Sequence, residues 1–196
     1  MSVACIIIAG GKRTRLIDEK ILPSVLPQGF DEVLVVGEHH ADGTAYRYLH
    51  VPDLTRTTND ALVKRDVGTV ATDARILVYL SDDHGLAPDF LDTLRAVAET
   101  SRWDVMIPSR WCRHPASGAP IRLNMGAEAS VPVLYCGGHG GIFRRWVIQS
   151  CPWTAMPHDR LWDLMASQIQ RALGAQFVHV PQVAIEDLTP ETEPWK

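Results

Sequence analysis

Three polar residues that could bind a metal ion follow directly after an apolar run. Residues 76–86 are "ILVYLSDDHGL", so Asp82, Asp83 and His84 come at the end of a run that predicts a buried strand. Carboxylate oxygens are preferred ligands of Mg²⁺ and Mn²⁺, and imidazole suits Mn²⁺ as well. The same residues could instead form an acidic turn that caps a helix beginning near Pro88. The position of the triplet behind a buried strand favours the metal site.

A glycine loop with two arginines follows the first predicted strand. Gly10 and Gly11 end the apolar run "VACIIIAGG", and Arg13 and Arg15 come just after it. Glycine lets a backbone approach a ligand closely, and the planar guanidinium group matches phosphate oxygens. The loop therefore predicts a phosphate-binding site, with a tight strand-to-helix turn carrying solvated arginines as the alternative.

Two more candidates lie in the second half of the chain. Asp159 and Asp163 are four residues apart in a predicted helix and share one of its faces. An acid there could act as a general base, although an exposed helix face would show the same spacing. His139, in the glycine loop "GGHGG", could approach a substrate. Four other histidines are predicted to be surface residues: His39, His40, His114 and His158.

The elements that must position these residues alternate between strand and helix. Strands are predicted for residues 3–11, 31–37, 45–51, 75–80 and 103–109, and helices for residues 18–28, 57–74 and 87–100. This alternation indicates an open, mostly parallel sheet with helices on both faces. Because ligands bind beyond the carboxyl ends of such strands, the candidate residues of the first half are predicted to share one edge.

The second half departs from this alternation. Residues 110–141 predict loops with antiparallel pieces, including a strand at 131–136. Helices are then predicted for residues 142–150 and 159–174, and a last strand for residues 175–181.

Composition limits the classes of protein that need to be considered. The chain has 196 residues, of which 46% are hydrophobic, and this is enough for one domain with a well-buried core. A formal net charge of −4 gives no overall reason to bind nucleic acid or an acidic membrane surface. No apolar run is long enough to cross a bilayer, which predicts a cytoplasmic protein. The four cysteines lack paired spacing, so reduced thiols are expected rather than zinc ligands or disulfides.

Residues 64–84, "KRDVGTVATDARILVYLSDDH", are similar to the pattern "A-R-N-x-G-x-x-x-A-x-G-x-x-I-x-x-L-D-x-D". By this pattern the chain resembles the GT-A glycosyltransferases of family 2, which transfer a sugar from a nucleotide-sugar donor. Arg65 matches the pattern, while Asp66 replaces its asparagine and Ser81 replaces the first aspartate of D-x-D. Asp83 falls on the last aspartate, which the resemblance implies is the metal ligand.

Two further segments extend this resemblance. Residues 22–44 resemble the helix and second strand of the family, with Gly37 and Glu38 where aspartates are common. Residues 136–145, "CGGHGGIFRR", look like its glycine-containing acceptor loop, which implies acceptor contacts for Gly138 and His139.

The late helix carries the implied catalytic residue. Residues 162–181 resemble the family pattern "E-D-x-D-L-x-x-R-x-x-x-x-G-x-x-x-x-x-x-P". Counting back from Gly174 places Asp163 on the aspartate expected to be the catalytic base. Trp162 stands where the family usually has a glutamate, and an acceptor contact is implied for it.

The resemblance implies a single GT-A (Rossmann-like) domain over residues 1–188, with a mostly parallel sheet, helices on both faces and a small antiparallel portion. Residues 1–108 would form its nucleotide-binding half, 109–188 its acceptor-binding half, and 189–196 a polar tail. The implied reaction is an inverting transfer from a nucleotide-diphosphate sugar to a hydroxyl of a soluble acceptor, with Mn²⁺ or Mg²⁺ held by Asp83 and His84. The implied donor-binding residues are Ala9, Gly10, Gly11, Arg13, Arg15, Glu38, Arg65, Asp66, Ser81 and Asp82. The class of acceptor and the formation of a homodimer stay open.

The first loop supports a second enzyme class. "AGGKRTRLIDEK" matches the signature "A-G-G-x-x-x-R-x-x-x-x-K" of nucleotidyltransferases such as the molybdenum cofactor guanylyltransferases, with Arg15 and Lys20 at the signature positions. An enzyme of that class would make a nucleotide-sugar or a cofactor nucleotide from a nucleoside triphosphate. A catalytically silent nucleotide-sugar binding module is the third alternative. Three features favour sugar transfer: the "R-D-x-G" motif at residues 65–68 in the helix before the acidic triplet, the acceptor loop, and Asp163.

Overall fold

The chain folds around one mixed β-sheet. The structure is a computed structural model that describes residues 1–10, 13–38, 44–54, 58–113, 119–123, 140–155 and 162–188. The strands are β1 (Val3–Gly10), β2 (Glu32–Glu38), β3 (Arg47–His50), β4 (Ile76–Ser81), β5 (His84–Leu86), β6 (Val105–Arg113), β7 (Pro120–Leu123), β8 (Gly140–Arg144) and β9 (Phe177–Asp187). The α-helices are α1 (Thr14–Leu16), α2 (Leu22–Val25), α3 (Thr58–Ala71), α4 (Phe90–Thr100), α5 (Arg145–Ser150) and α6 (Trp162–Ala172). A π-helical turn (Ile17–Ile21) joins α1 to α2, and 3₁₀ turns cover Leu26–Gln28 and Trp153–Ala155.

Most of the described strands run in one direction. Their order is β3-β2-β1-β4-β8-β6-β9-β5, with β7 paired to β6. Parallel pairing joins β3, β2, β1 and β4, and it also joins β6 to β9. Strand β8 lies between β4 and β6 and is antiparallel to both, so β6 and β9 point the same way as β4. The predicted α/β fold with a mostly parallel sheet and a small antiparallel portion is confirmed.

Both faces of the sheet are covered by helices, because the central strands are apolar on both sides. In β1, Cys5 and Ile7 pack in the cluster that contains the π-helical turn and α4. Ile6 points to the opposite face and packs in the cluster of α3, α5 and α6. Helix α3 comes very close to the sheet at Gly68, where a Cβ atom would lie 2.5 Å from Ile6 Cγ2.

One predicted element was wrong. Residues 142–150 were expected to form a helix, but residues 142–144 belong to β8 and the helix begins at Arg145. The physical reason is that Ile142 and Phe143 are both buried and pack in the clusters on opposite faces of the sheet. A period of two between buried neighbours is that of a strand rather than of a helix. The strand predicted at 131–136 lies outside the described residues.

The last strand is longer than predicted and closes the sheet beyond the acidic turn. Strand β9 continues past the expected end at residue 181 and reaches Asp187. Its pairing with β6 shifts register after Pro108, which accommodates the extra residues. Its far end pairs antiparallel with β5, which begins at His84. Strand β5 has only three residues, which is too few to be predicted from the sequence. Its pairing with β9 nevertheless fixes the chain just after Asp83.

Tyr79 gives the fold a pH dependence. Its ring lies in β4 between Phe143 and Trp153, and its hydroxyl forms a hydrogen bond with Thr69. Burial raises the pKa of Tyr79 from 10.0 to about 12, against the opposing effects of Thr69 and the nearby Arg65. Since the folded protein holds the phenol neutral, this stabilisation is complete below pH about 10 and is lost as the pH rises towards 12.

The Tyr79→Phe variant should therefore lose less stability than the unaltered chain between pH 9 and pH 11. Urea denaturation at a series of pH values would measure the free energy of unfolding of both proteins. Tyr48→Phe is the matched control, because Tyr48 lies in edge strand β3 and is only partly buried. Equal slopes with pH for the Tyr79→Phe and unaltered proteins would contradict the prediction.

Candidate functional site

The carboxyl ends of β1, β2 and β4 meet at one edge of the sheet. Gly10 at the end of β1 is level with Glu38 at the end of β2. Ser81, the last residue of β4, is level with Ile8 of β1. The sheet thus brings together the chain segments that carry the predicted phosphate loop and the acidic triplet.

An arginine bridges the two aspartates at this edge. The Arg13 Nη1 atom donates a hydrogen bond of 3.1 Å to Asp82 Oδ1 and one of 2.7 Å to Asp83 Oδ2. The other oxygen of Asp82 accepts a 3.0 Å hydrogen bond from the Gly10 amide. A Cβ atom on Gly10 would lie 2.8 Å from Asp82 Oδ2, so a side chain at position 10 would displace the Asp82 carboxylate. These contacts hold the first loop against the end of β4.

His84 supports the second aspartate from inside the protein. Its side chain is fully buried, and its Nδ1 atom lies 2.5 Å from Asp83 Oδ1. The backbone carbonyl of Asp83 accepts a 2.8 Å hydrogen bond from the amide of Leu188, next to the end of β9. The structure therefore places the His84 imidazole against the carboxylate of Asp83, and its predicted role as a metal ligand stays a prediction.

The acidic pair has the chemistry of a divalent-cation site but holds a guanidinium group. Two successive carboxylates are suitable oxygen ligands for Mg²⁺ or Mn²⁺. Each of them gives one oxygen to Arg13, whose positive charge occupies the position between them. Among the described residues, no group of three His, Cys, Asp or Glu side chains is arranged to hold a metal ion. The residues fit a divalent ion only if Arg13 moves away from Asp82 and Asp83.

A buried lysine that was not predicted organises the ends of β1 and β2. Lys64 in α3 is 1% exposed; its Nζ atom donates a 2.7 Å hydrogen bond to the Ala9 carbonyl and pairs with Asp53. The amide of Asp53 in turn donates a 2.9 Å hydrogen bond to Glu38 Oε1. Helix α3 therefore contacts Ala9 directly through Lys64, and it contacts Glu38 indirectly through Asp53. A signal for Lys64 exists in the sequence, because Gly68 follows four residues later on the same helix face and brings that face onto the sheet.

Arg65 and Asp66 contact a different part of the protein. The guanidinium group of Arg65 is 5.2 Å from the ring centroid of Trp153 and 6.0 Å from that of Tyr79. The Asp66 carboxylate accepts hydrogen bonds from the amides of Trp153 and Thr154 and from the Thr154 hydroxyl, at 2.9, 2.9 and 2.7 Å. Asp66 thereby fixes the 3₁₀ turn at Trp153–Ala155. Nucleotide-sugar binding by these two residues stays a prediction.

The remaining predicted residues are placed less completely. Arg15 lies on the surface and pairs with Glu19 one helical turn later, at 2.7 Å. Trp162 and Asp163 begin α6, but their side chains lie outside the described part of the structure. Other residues for which the sequence made predictions lie outside the described ranges: Gly11, His39, His40, His114, Gly138, His139, His158 and Asp159.

The described fold is that of the GT-A glycosyltransferases. No protein-family model and no curated protein matches the sequence. Among solved structures, S. aureus TarS 1-349 is similar with a TM-score of 0.67 and 16% identity, over 97% of this chain and 61% of that one. The same protein in complex with UDP-GlcNAc gives a TM-score of 0.70 and 14% identity, over 98% and 60% of the two chains.

A mannosyltransferase has the same fold. PcManGT from Pyrobaculum calidifontis, in complex with GDP-Man and Mn²⁺, gives a TM-score of 0.63 and 18% identity, over 97% of this chain and 58% of that one. These matches confirm the predicted GT-A resemblance at the level of the fold. The chain spans about 60% of the length of the similar proteins. In the part of the chain that the structure describes, no helix is long and apolar enough to cross a membrane.

Proposed function

We propose that the chain transfers a sugar from a nucleotide-diphosphate sugar to an acceptor hydroxyl. The observation that carries the proposal is the meeting of Gly10, Arg13, Asp82 and Asp83 at the carboxyl ends of β1 and β4 in a GT-A fold. In open α/β sheets, ligands bind in the crevice outside these strand ends. The nucleotide sugars bound to TarS and to PcManGT support this class of donor.

In this proposal the first loop and Arg13 bind the donor, and Asp163 acts as the general base. The acceptor oxygen attacks the anomeric carbon while the bond from that carbon to the diphosphate oxygen breaks. Asp163 takes the proton of the acceptor hydroxyl, and the nucleoside diphosphate leaves with the bonding electrons. Attack from the face opposite the leaving group inverts the anomeric carbon. Gly138, His139 and Trp162 are proposed to contact the acceptor.

The proposal includes a divalent ion, Mn²⁺ or Mg²⁺, held by Asp83 with the help of Asp82 or His84. Such an ion offsets the charge that develops on the leaving diphosphate when it is bound. The Mn²⁺ bound with GDP-Man in PcManGT supports this choice. Because Arg13 lies between the two carboxylates, the ion and the Arg13 guanidinium cannot share that position.

A thermal-shift screen tests the class of ligand. UDP, GDP, UDP-GlcNAc, GDP-Man, UTP and GTP are each added to the chain with and without MnCl₂. A ligand at about 100 times its Kd stabilises the folded state by about 2.7 kcal/mol, which raises the melting temperature by several degrees. We expect the diphosphates or the nucleotide sugars to give this shift. A shift with triphosphates alone would support a nucleotidyltransferase instead.

Slow hydrolysis of the donor separates an enzyme from a binding module. Water can replace the acceptor in glycosyl transfer, so the nucleotide sugar that stabilises the chain should release its nucleoside diphosphate faster than in protein-free buffer. Release can be followed by chromatography of the nucleotide. A chain that binds the donor without accelerating its hydrolysis or its transfer to any acceptor would be a silent module.

A further inference from the structure

We propose that Arg13 is a tethered competitor of the divalent ion. Its guanidinium group occupies the position between Asp82 and Asp83 that the ion would take, so the ion enters only when Arg13 leaves. The competition between the two cations follows from the geometry of the acidic pair. Only its coupling to the donor rests on the proposed glycosyltransferase function.

One nitrogen of Arg13 contacts both carboxylates, as a small bound cation would. A single nitrogen atom, Arg13 Nη1, lies 3.1 Å from Asp82 Oδ1 and 2.7 Å from Asp83 Oδ2. An ion coordinated by the same two oxygens would have to lie between them at metal-ligand distance, about 2.0–2.6 Å from each. Such an ion would lie within about 5 Å of the guanidinium nitrogen, because both would contact the same two oxygens. The two positive groups also repel each other strongly at such short range.

The carboxylates are held in place by the sheet as well as by Arg13. Asp82 is fixed by the Gly10 amide, and Asp83 is in contact with the buried His84 imidazole. The side chains of both aspartates are about one-sixth exposed, 16% and 15%, so water screens the bridge less than it would at the surface. Removal of the Arg13 side chain should therefore leave the two carboxylates in position with an uncompensated negative charge.

The more exposed partner in the bridge is Arg13 itself. Its side chain is 30% exposed, about twice as much as those of the aspartates, and its loop follows directly after the end of β1. In this proposal Arg13, rather than the acidic pair, is the partner that moves when the ion enters. A donor diphosphate at this edge would offer the displaced guanidinium a new anionic partner. The structure thus favours entry of the ion together with the diphosphate over entry of the ion alone.

Direct measurement of Mn²⁺ binding tests the competition. The signal of free Mn²⁺ in electron paramagnetic resonance reports how much ion the full chain binds, without nucleotide and without any activity assay. We expect Arg13→Gln to bind Mn²⁺ about tenfold more tightly than the unaltered chain, because the lost charge-assisted hydrogen bonds no longer oppose the ion. Arg13→Lys, which keeps the positive charge, should bind Mn²⁺ as weakly as the unaltered chain.

Two further variants act as controls. Arg47→Gln removes another arginine that pairs with a carboxylate, Glu32, but that pair lies near the amino end of β2 and should leave Mn²⁺ binding unchanged. Adding Asp83→Asn to Arg13→Gln should abolish the gain. If Arg13→Gln fails to fold, Arg13→Ala measures the same competition. Mn²⁺ binding by Arg13→Gln or Arg13→Ala no tighter than by the unaltered chain would overturn the proposal.

The test of Arg13 as a competitor can fail or succeed independently of the test of the proposed function. If the thermal-shift screen finds no nucleotide ligand, the proposed function fails, and the Mn²⁺ titration without nucleotide still decides whether Arg13 competes. If nucleotide sugars bind and the Arg13→Gln variant shows no gain in Mn²⁺ affinity, only the competition by Arg13 is wrong.

Discussion

The Asp163→Asn variant should lose nearly all sugar transfer while it keeps its affinity for the donor. Asparagine has almost the same shape as aspartate but cannot accept the proton of an acceptor hydroxyl. General-base catalysis typically contributes a factor of about 10² to 10⁴, so we expect kcat to fall by that amount. The donor identified by thermal shift and an acceptor found by screening would be used to measure turnover.

The control for this variant is an exposed aspartate in a similar position of another helix. Asp92 lies in the first turn of α4, as Asp163 lies at the start of α6, and it is exposed. Asp92→Asn should keep both donor binding and turnover. A thermal shift of equal size in all three proteins would show that donor binding is intact. Normal turnover in Asp163→Asn would remove Asp163 from the role of base.

Much of the framework of the site could be predicted because it depends on local patterns. Strands β1, β2 and β4 are continuous apolar runs, and such runs read as strands buried on both faces. Parallel pairing then brings their carboxyl ends to one edge, whatever the details of the loops. The prediction that the first loop and the acidic triplet share an edge is therefore confirmed by the register of Gly10, Glu38 and Ser81.

The departures from the family pattern at the end of β2 have a structural explanation. Gly37 has a φ of 141°, and a Cβ atom there would lie 1.9 Å from the Ala9 carbonyl oxygen and 3.1 Å from Lys64 Cε. An aspartate does not fit at this position, where the family commonly has one. The crowding comes from α3 and β1, which are distant in sequence. A single sequence cannot show it.

The partners of the acidic residues were not predictable for the same reason. Spacing identifies Asp82 and Asp83 as candidates for a cation site, but it does not say which cation is nearest. The bridge to Arg13 joins residues about 70 positions apart, and spacing along the chain does not reveal such a contact. The strand β8 was missed in a similar way, because its pairing partners β4 and β6 and the core clusters that cover its two faces come from distant parts of the chain.

The Lys64→Met variant should be strongly destabilised. Methionine fills a similar volume, but it leaves the Ala9 carbonyl without the Lys64 hydrogen bond and removes the positive charge beside Asp53. Breaking a buried pair from one side costs about 3 kcal/mol. Urea denaturation would measure the loss in the free energy of unfolding. Lys20→Met is the control, since Lys20 is exposed and its replacement should change stability by less than about 0.5 kcal/mol.

A double-mutant cycle distinguishes the Lys64–Asp53 pair from simple loss of packing. Asp53→Asn alone leaves the buried lysine without its carboxylate partner and should also destabilise the chain. If the pair is the cause, the double variant Lys64→Met/Asp53→Asn should be at least about 1 kcal/mol more stable than the sum of the single effects predicts. Strict additivity would contradict the pairing.

The same pair should also affect donor binding, because the backbone amide of Asp53 donates a hydrogen bond to Glu38. Both single variants should therefore bind the donor more weakly than Lys20→Met does. That result would connect the buried charge of Lys64 to the donor site.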